Sequence, residues 1–284
     1  LAASPDRCRA GCVEQMRASE LPRAIGAAVS IAADLGLAAD DAVVLQNSNK
    51  VSLRLLPCDV MARVAPVQDQ IAQFEIDIAQ RLTAAGSPIA GLDPRVEPRV
   101  YERAGYAVTF WTFHETATGD EIAPADYADA LHELHRAMRT IEVRAPHVTD
   151  RIAQAQHLVA TRDRTPELAE ADRELLDSVL RRPVHGTDQL LHGEPHPGNV
   201  LKTKGGLLFI DLETCCRGPV EFDLAHAPED VGDRYPGVDQ GLLNECRILV
   251  LAMITTWRWD RDDQFPDGRR LGMEWLAEIR AYEG

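Results

Sequence analysis

Hydrophobic spacing divides this chain into helical and extended stretches. Up to about residue 40, Leu21, Ile25, Ala28 and Val29 recur at helical intervals, and Gly36 within Leu35-Gly36-Leu37 predicts a stop. From Ala42 the period changes to two. Val51, Leu53 and Leu55 alternate with other residues, Pro57-Cys58-Asp59 reads as a turn, and Val60, Ala62 and Val64 alternate again. Residues 71–82 return to the helical period through Ile71, Ile78 and Leu82. The proline-punctuated stretch Pro88 to Glu102 reads as irregular or edge structure, and Tyr106 to Phe113 as a strand. Past Pro124 and Asp126, Leu131, Leu134, Met138 and Ile141 predict an amphipathic helix. Residues 146–190 are polar and helical. Val200-Leu201 and Leu207–Ile210 flank Gly205-Gly206 as a hairpin, and the last third is helical, with Ile248–Trp257 apolar enough for a buried helix.

At 284 residues, 45% of them hydrophobic, the chain has material for two packed lobes. Its net charge of -15, from 45 acids against 30 bases, argues against nucleic acid or an anionic membrane as partner and is compatible with a cationic small molecule. The longest apolar runs fall well short of the roughly 20 residues of a spanning helix, and no basic-then-apolar signal pattern opens the chain. Cys8 with Cys12, and Cys215 with Cys216, lack zinc-ligand spacing. The expectation is reduced thiols in a cytoplasmic protein that is a monomer or homodimer.

Chemistry concentrates at His192-Gly193-Glu194-Pro195-His196-Pro197-Gly198-Asn199, followed by Asp211 and Glu213. The hairpin can bring an amide oxygen, from Asn199, to a carboxylate, from Asp211, with Glu194 nearby. This oxygen-only set suits Mg²⁺, which commonly also holds substrate phosphates. A second constellation pairs Arg63 with Glu75. Arg63 points away from Val60, Ala62 and Val64, while Glu75 shares the apolar face of its helix and so requires a partner. A metallohydrolase on His192, Glu194 and His196 is disfavoured, because Pro195 and Pro197 prevent the helix that would align two histidines.

The run His192-Gly193-acid-x-x-x-x-Asn199, then Asp211, then Gly218-Pro219-x-x-Phe222-Asp223-Leu224-Ala225, resembles the aminoglycoside phosphotransferase-like family, relatives of the protein kinases. The resemblance implies an α+β, bilobal, protein-kinase-like fold, with a small N-terminal antiparallel-sheet lobe over residues 1–112 and a larger, mainly helical lobe over 113–284. It implies a Mg²⁺-dependent transfer of the γ-phosphoryl group of ATP or GTP to a hydroxyl of an antibiotic such as an aminoglycoside, a sugar or an amino alcohol. Glu194 would be the base, Asn199 and Asp211 the metal ligands, and Arg63 with Glu75 the counterpart of the strand-lysine and helix-glutamate pair that grips phosphates. Asn47, Ser48 and Asn49 occupy the place of the phosphate-covering loop, without its glycines. Trp111 or Phe113 would flank the base unless they are core. Asp223 and His192 would brace the loop, and His135 would sit beneath it as a structural histidine. Family members carry Asp where this chain has Glu194, one methylene longer. Either the site is adjusted to Glu194, or the chain binds nucleotide without transferring phosphate.

Overall fold

The computed structural model describes residues 16–48, 50–67, 71–117 and 121–283, and divides them into two compact units. The smaller takes what is described before Glu121 together with Leu201–Glu213. The larger takes Glu121–Val200 and the chain from Thr214 onward.

The smaller unit opens on helix α1, Leu21–Asp34, after which Gly36 adopts a φ of 79°, as the glycine stop predicts. Strands β1 (Ala39–Asn47), β2 (Val51–Pro57) and β3 (Val60–Pro66) lead into helix α2 (Ile71–Ala84), and β4 (Tyr101–Arg103) and β5 (Tyr106–Thr112) follow. The strands form an antiparallel sheet in the order β1-β2-β3-β5-β4. The alternation read in β2 and β3 is the inward face. Val51, Leu53, Leu55, Val60, Ala62 and Val64 are fully buried in one cluster with Ala24, Ala28 and Ile31 of α1. Each fully buried Leu or Val contributes about 1.5–3 kcal/mol, so this face holds the sheet to α1. Strand β1 begins three residues before the predicted Ala42 and runs on through Asn47, which the resemblance assigns to the phosphate-covering loop; Gln46 and Asn47 pair with Ser52 and Val51 in the ladder.

The larger unit begins with α3 (Pro124–Met138), α4 (Val148–Ala160) and α5 (Glu170–Leu180). Strand β6 (Gln189–Leu191) comes next; β7 (Val200–Thr203) and β8 (Gly206–Phe209), the two strands of the predicted hairpin, fall from Leu201 onward in the smaller unit. Strand β9 (Cys216–Gly218) pairs antiparallel with β6. Helices α6 (Val220–Leu224), α7 (Glu229–Gly232), α8 (Gln240–Trp257) and α9 (Gly268–Glu283) complete the chain. Helix α8 is the core element, and Asp239 caps it by accepting from the N–H groups of Gly241 and Leu242. Its buried Thr255 and Thr256 donate to Leu251 and Ala252 four residues back, which avoids roughly 1–3 kcal/mol for each unsatisfied hydroxyl. The acidic residues after α8 have structural employment, since Asp260 pairs with Arg164 and Asp263 with Arg258. No helix among the described residues is long and apolar enough to cross a membrane.

Candidate active site

In the smaller unit, Arg63 and Glu75 meet as the sequence predicts. Glu75 lies on the buried face of α2, and its Oε1 accepts from the Arg63 guanidinium. The other guanidinium nitrogen donates to Asp211 Oδ1 at 2.6 Å, so Arg63 links the α2 glutamate to the acid after β8. Burial would lower the basicity of Arg63, but Glu75 and Asp211 reverse that and keep it firmly charged. Asp211 itself adopts a φ of 67°, a left-handed backbone that costs a non-glycine residue roughly 1–3 kcal/mol and clusters at functional sites.

Lys50, unassigned by motif, joins the same cluster. Its ammonium bonds Glu75 Oε2 at 3.3 Å and also Glu213. The signal was present in strand parity: Ser52 stands opposite Arg63 in the β2–β3 ladder, and Lys50 lies two residues before Ser52. Burial, then the charge of Asp211, pushes the Glu213 carboxyl up despite Lys50 and Arg63. This crowding of acids is relieved by a cation, and the donors are hard oxygens, so the residues present fit Mg²⁺. No cluster of three or more His, Cys, Asp or Glu able to hold a metal occurs among the described residues.

The remaining predicted nucleotide residues are placed as follows. Asn47 exchanges hydrogen bonds with the backbone of Met16, and Ser48 Oγ donates to the Lys50 carbonyl. Trp111 is buried, with its indole N–H on Thr109 and its ring 5.9 Å from the Arg63 guanidinium carbon. The half-buried Phe113 ring packs under Arg54 at 4.1 Å. Asn49, Cys8 and Cys12 lie outside the described residues.

In the larger unit, the loop from His192 to Asn199 follows β6 and is pinned at nearly every step. Gly193 has a φ of 89°, and a Cβ there would stand 2.0 Å from the Thr214 carbonyl oxygen, so only glycine fits. Asp223, fully buried at the base, accepts from the N–H groups of His192 and Gly193, both at 2.8 Å, and bonds His135 Nε2 at 2.9 Å. The other nitrogen of His135 bonds the Tyr235 hydroxyl, so this helix histidine is structural. Tyr127 donates to the Pro195 carbonyl at 2.6 Å. His196 accepts from the N–H of Gly198 in the short helical turn Pro197–Asn199. Asn199 Nδ2 donates to the Glu194 carbonyl at 3.0 Å, leaving Oδ1 as the atom a cation would use.

Glu194 has a partner that no local pattern revealed. Arg151 of α4 donates to its carboxylate and, at 3.1 Å, to the Gly193 carbonyl. Burial alone would push the Glu194 carboxyl up; the opposing effects, led by the charge of Arg151 and including its hydrogen bond, together outweigh burial and hold the group below the ordinary glutamate range, therefore ionised. Nearby His226 is driven down to about 4, first by burial, and is neutral at physiological pH. Arg151→Met is expected to lower kcat by about 10²-fold, with a smaller effect on KM, since misplacing a reacting group by roughly 1 Å costs that much. Steady-state kinetics at saturating nucleotide check it, and an unchanged kcat would remove Arg151 from the positioning of Glu194.

The antiparallel sheet of the smaller unit and the helices of the larger belong to a protein-kinase-like α+β fold. Solved structures share the fold. Aminoglycoside phosphotransferase APH(4)-Ia, a thermostable mutant with ADP and hygromycin B, is 14% identical over 90% of this chain and 98% of that one, with a TM-score of 0.66. Amicoumacin kinase hAmiN with AMP-PNP and Ca²⁺ is 12% identical over 94% and 96%, with a TM-score of 0.64. A choline/ethanolamine kinase family protein from Mesorhizobium loti is 17% identical over 92% and 94%, with a TM-score of 0.62. The search of curated proteins found no match. The pattern of the phosphotransferase enzyme family matches residues 45–244, and the chain belongs to that family. It is a small-molecule phosphotransferase with an alcohol group as acceptor.

Proposed function

We propose that the protein transfers the γ-phosphoryl group of ATP to a hydroxyl of a small cationic molecule, of the aminoglycoside, amino-sugar or amino-alcohol kind, with Mg²⁺ held by Asn199 and Asp211. The observation that carries the reading is the continuous linkage Glu75–Arg63–Asp211, which ties a kinase-like strand-to-helix ion pair to the acid proposed as metal ligand. The acidic chain supports a cationic acceptor. ADP and AMP-PNP in structurally similar enzymes support adenine nucleotide over GTP. A cytoplasmic setting goes with it: ATP is at hand, and Cys58, Cys215, Cys216 and Cys246 are free thiols.

Each residue then has a task. Glu194, ionised beside Arg151, accepts the proton of the attacking hydroxyl. Asn199, oriented by the Glu194 carbonyl, and Asp211, held by Arg63, would be the residues that hold the cation. Mg²⁺, when bound, supplies neutralisation of charge on the phosphates. Asp223 keeps the loop in shape through His192 and Gly193 and takes no part in proton transfer.

The test is a turnover assay with ATP and GTP against a panel of aminoglycosides, amino sugars and amino alcohols, with and without EDTA. Phosphorylation of a panel member from ATP, abolished by EDTA, is the expected result; failure across every acceptor with either nucleotide would reject the reading. In the same assay Glu194→Asp is expected to lose about tenfold to 10²-fold in kcat, because the shorter side chain withdraws from Arg151. A large gain would instead mark the native glutamate as impaired.

A further inference from the structure

Two cations share one face of the sheet in the smaller unit, and they are held in different ways. Arg63 is a tie: both ends of its planar fork are engaged, one on Glu75 and the other on Asp211, so withdrawing it would release Asp211. Lys50 sits at the exit of the β1–β2 turn, where a lysine can readily keep its ammonium in water. Instead its side chain is only 5% exposed and reaches Glu75 and Glu213. Burying a strongly hydrated point charge is costly unless carboxylates compensate it. Those two carboxylates belong to the cluster that includes Asp211.

We propose that Lys50 is the residue that binds the nucleotide phosphates, and that Glu213 occupies its ammonium in their place until nucleotide arrives. The inference rests on the kinase reading and assigns a division of labour within it: Arg63 positions Asp211, and Lys50 grips phosphate. A carboxylate oxygen and a phosphate oxygen offer an ammonium the same charge-assisted bond. Exchanging one for the other keeps Lys50 on Glu75 and leaves the Arg63 tie undisturbed. The arrangement also accounts for the turn itself. A glycine-rich turn cradles phosphates with backbone N–H groups, whereas here the Ser48 N–H is used on the Lys50 carbonyl and the Asn47 side chain on the Met16 backbone.

Isothermal titration with ADP and with adenosine, both in EDTA so that metal ligation plays no part, tests the assignment. The proteins are the full chain, its Glu213→Gln variant, and the pair Lys50→Met with Glu213→Gln, which removes one cation and one anion together and leaves Glu75 on Arg63. Circular dichroism confirms folding. The expected result is that wild type prefers ADP to adenosine, and that the paired variant loses about tenfold or more of ADP affinity with adenosine affinity unchanged. Glu213→Gln alone goes the other way, binding ADP several-fold more tightly because the competitor is gone. Equal weakening of both ligands in the paired variant would make Lys50 merely structural, and an unchanged ADP preference would leave the phosphates to another residue; either overturns the proposal while the kinase reading stands. If wild type binds neither ligand, the kinase reading falls and this assignment falls with it.

Discussion

Asp211→Asn is expected to lower kcat by about 10²–10³-fold while the protein stays folded. The substitution keeps the shape of the side chain and removes its charge, which holds the Arg63 guanidinium and, in the proposed reaction, would hold a divalent cation. Arg63 remains bonded to Glu75, so the strand-to-helix tie survives and the loss falls on chemistry. Mg²⁺-dependent ADP binding separates the effects: the variant is expected to bind ADP in EDTA about as well as wild type, and to lose most of the gain that Mg²⁺ confers. Activity within about tenfold of wild type would take Asp211 out of the reaction.

Asp223→Asn is expected to cost about 3–5 kcal/mol of stability, the usual range for breaking a buried, hydrogen-bonded charge pair. Three groups depend on that carboxylate, namely the N–H groups of His192 and Gly193 and the ring of His135, and it is fully buried. Burial by itself would push the Asp223 carboxyl up; His135, His192 and the Gly193 N–H outweigh burial and hold it below the ordinary aspartate range. A carboxyl with a depressed folded-state pKa stabilises fully above the unfolded value, near 4, and loses that contribution as pH falls through the folded one. The stability gap between wild type and variant, measured by denaturant unfolding, is therefore expected to be constant from pH 7 to about 5 and to close in more acidic buffer. A gap that does not close in acid would show that Asp223 acts through packing and not through its charge.

Much of the site was legible beforehand because its residues are bound to local pattern. The His-Gly-acid loop needs glycine where a side chain would strike Thr214, and an Asn at fixed distance along a short turn. Glu75 stood out as a carboxylate on an apolar helix face, and Arg63 as the residue pointing away from its buried neighbours on β3. Two partners escaped. Arg151 reaches Glu194 across 43 positions, and nothing in the polar helix around it distinguishes it from the other arginines there. Lys50 was hidden by composition, since a lysine beside Asn and Ser reads as a solvated turn.

What the order of residues determined alone is which face each side chain occupies: periods of 3.6 and 2 separate buried from exposed positions wherever the backbone is regular, and that is enough for helices, sheet and motif. What only the tertiary structure decided is which charges meet. Arginine and lysine carry their charge at the end of long flexible stems, so the face of origin does not set where the head group arrives. The destination of Lys50 and Arg151 is settled by the low dielectric around Glu75, Glu213 and Glu194, where an unpaired carboxylate costs more than the ordering of a distant cation's side chain.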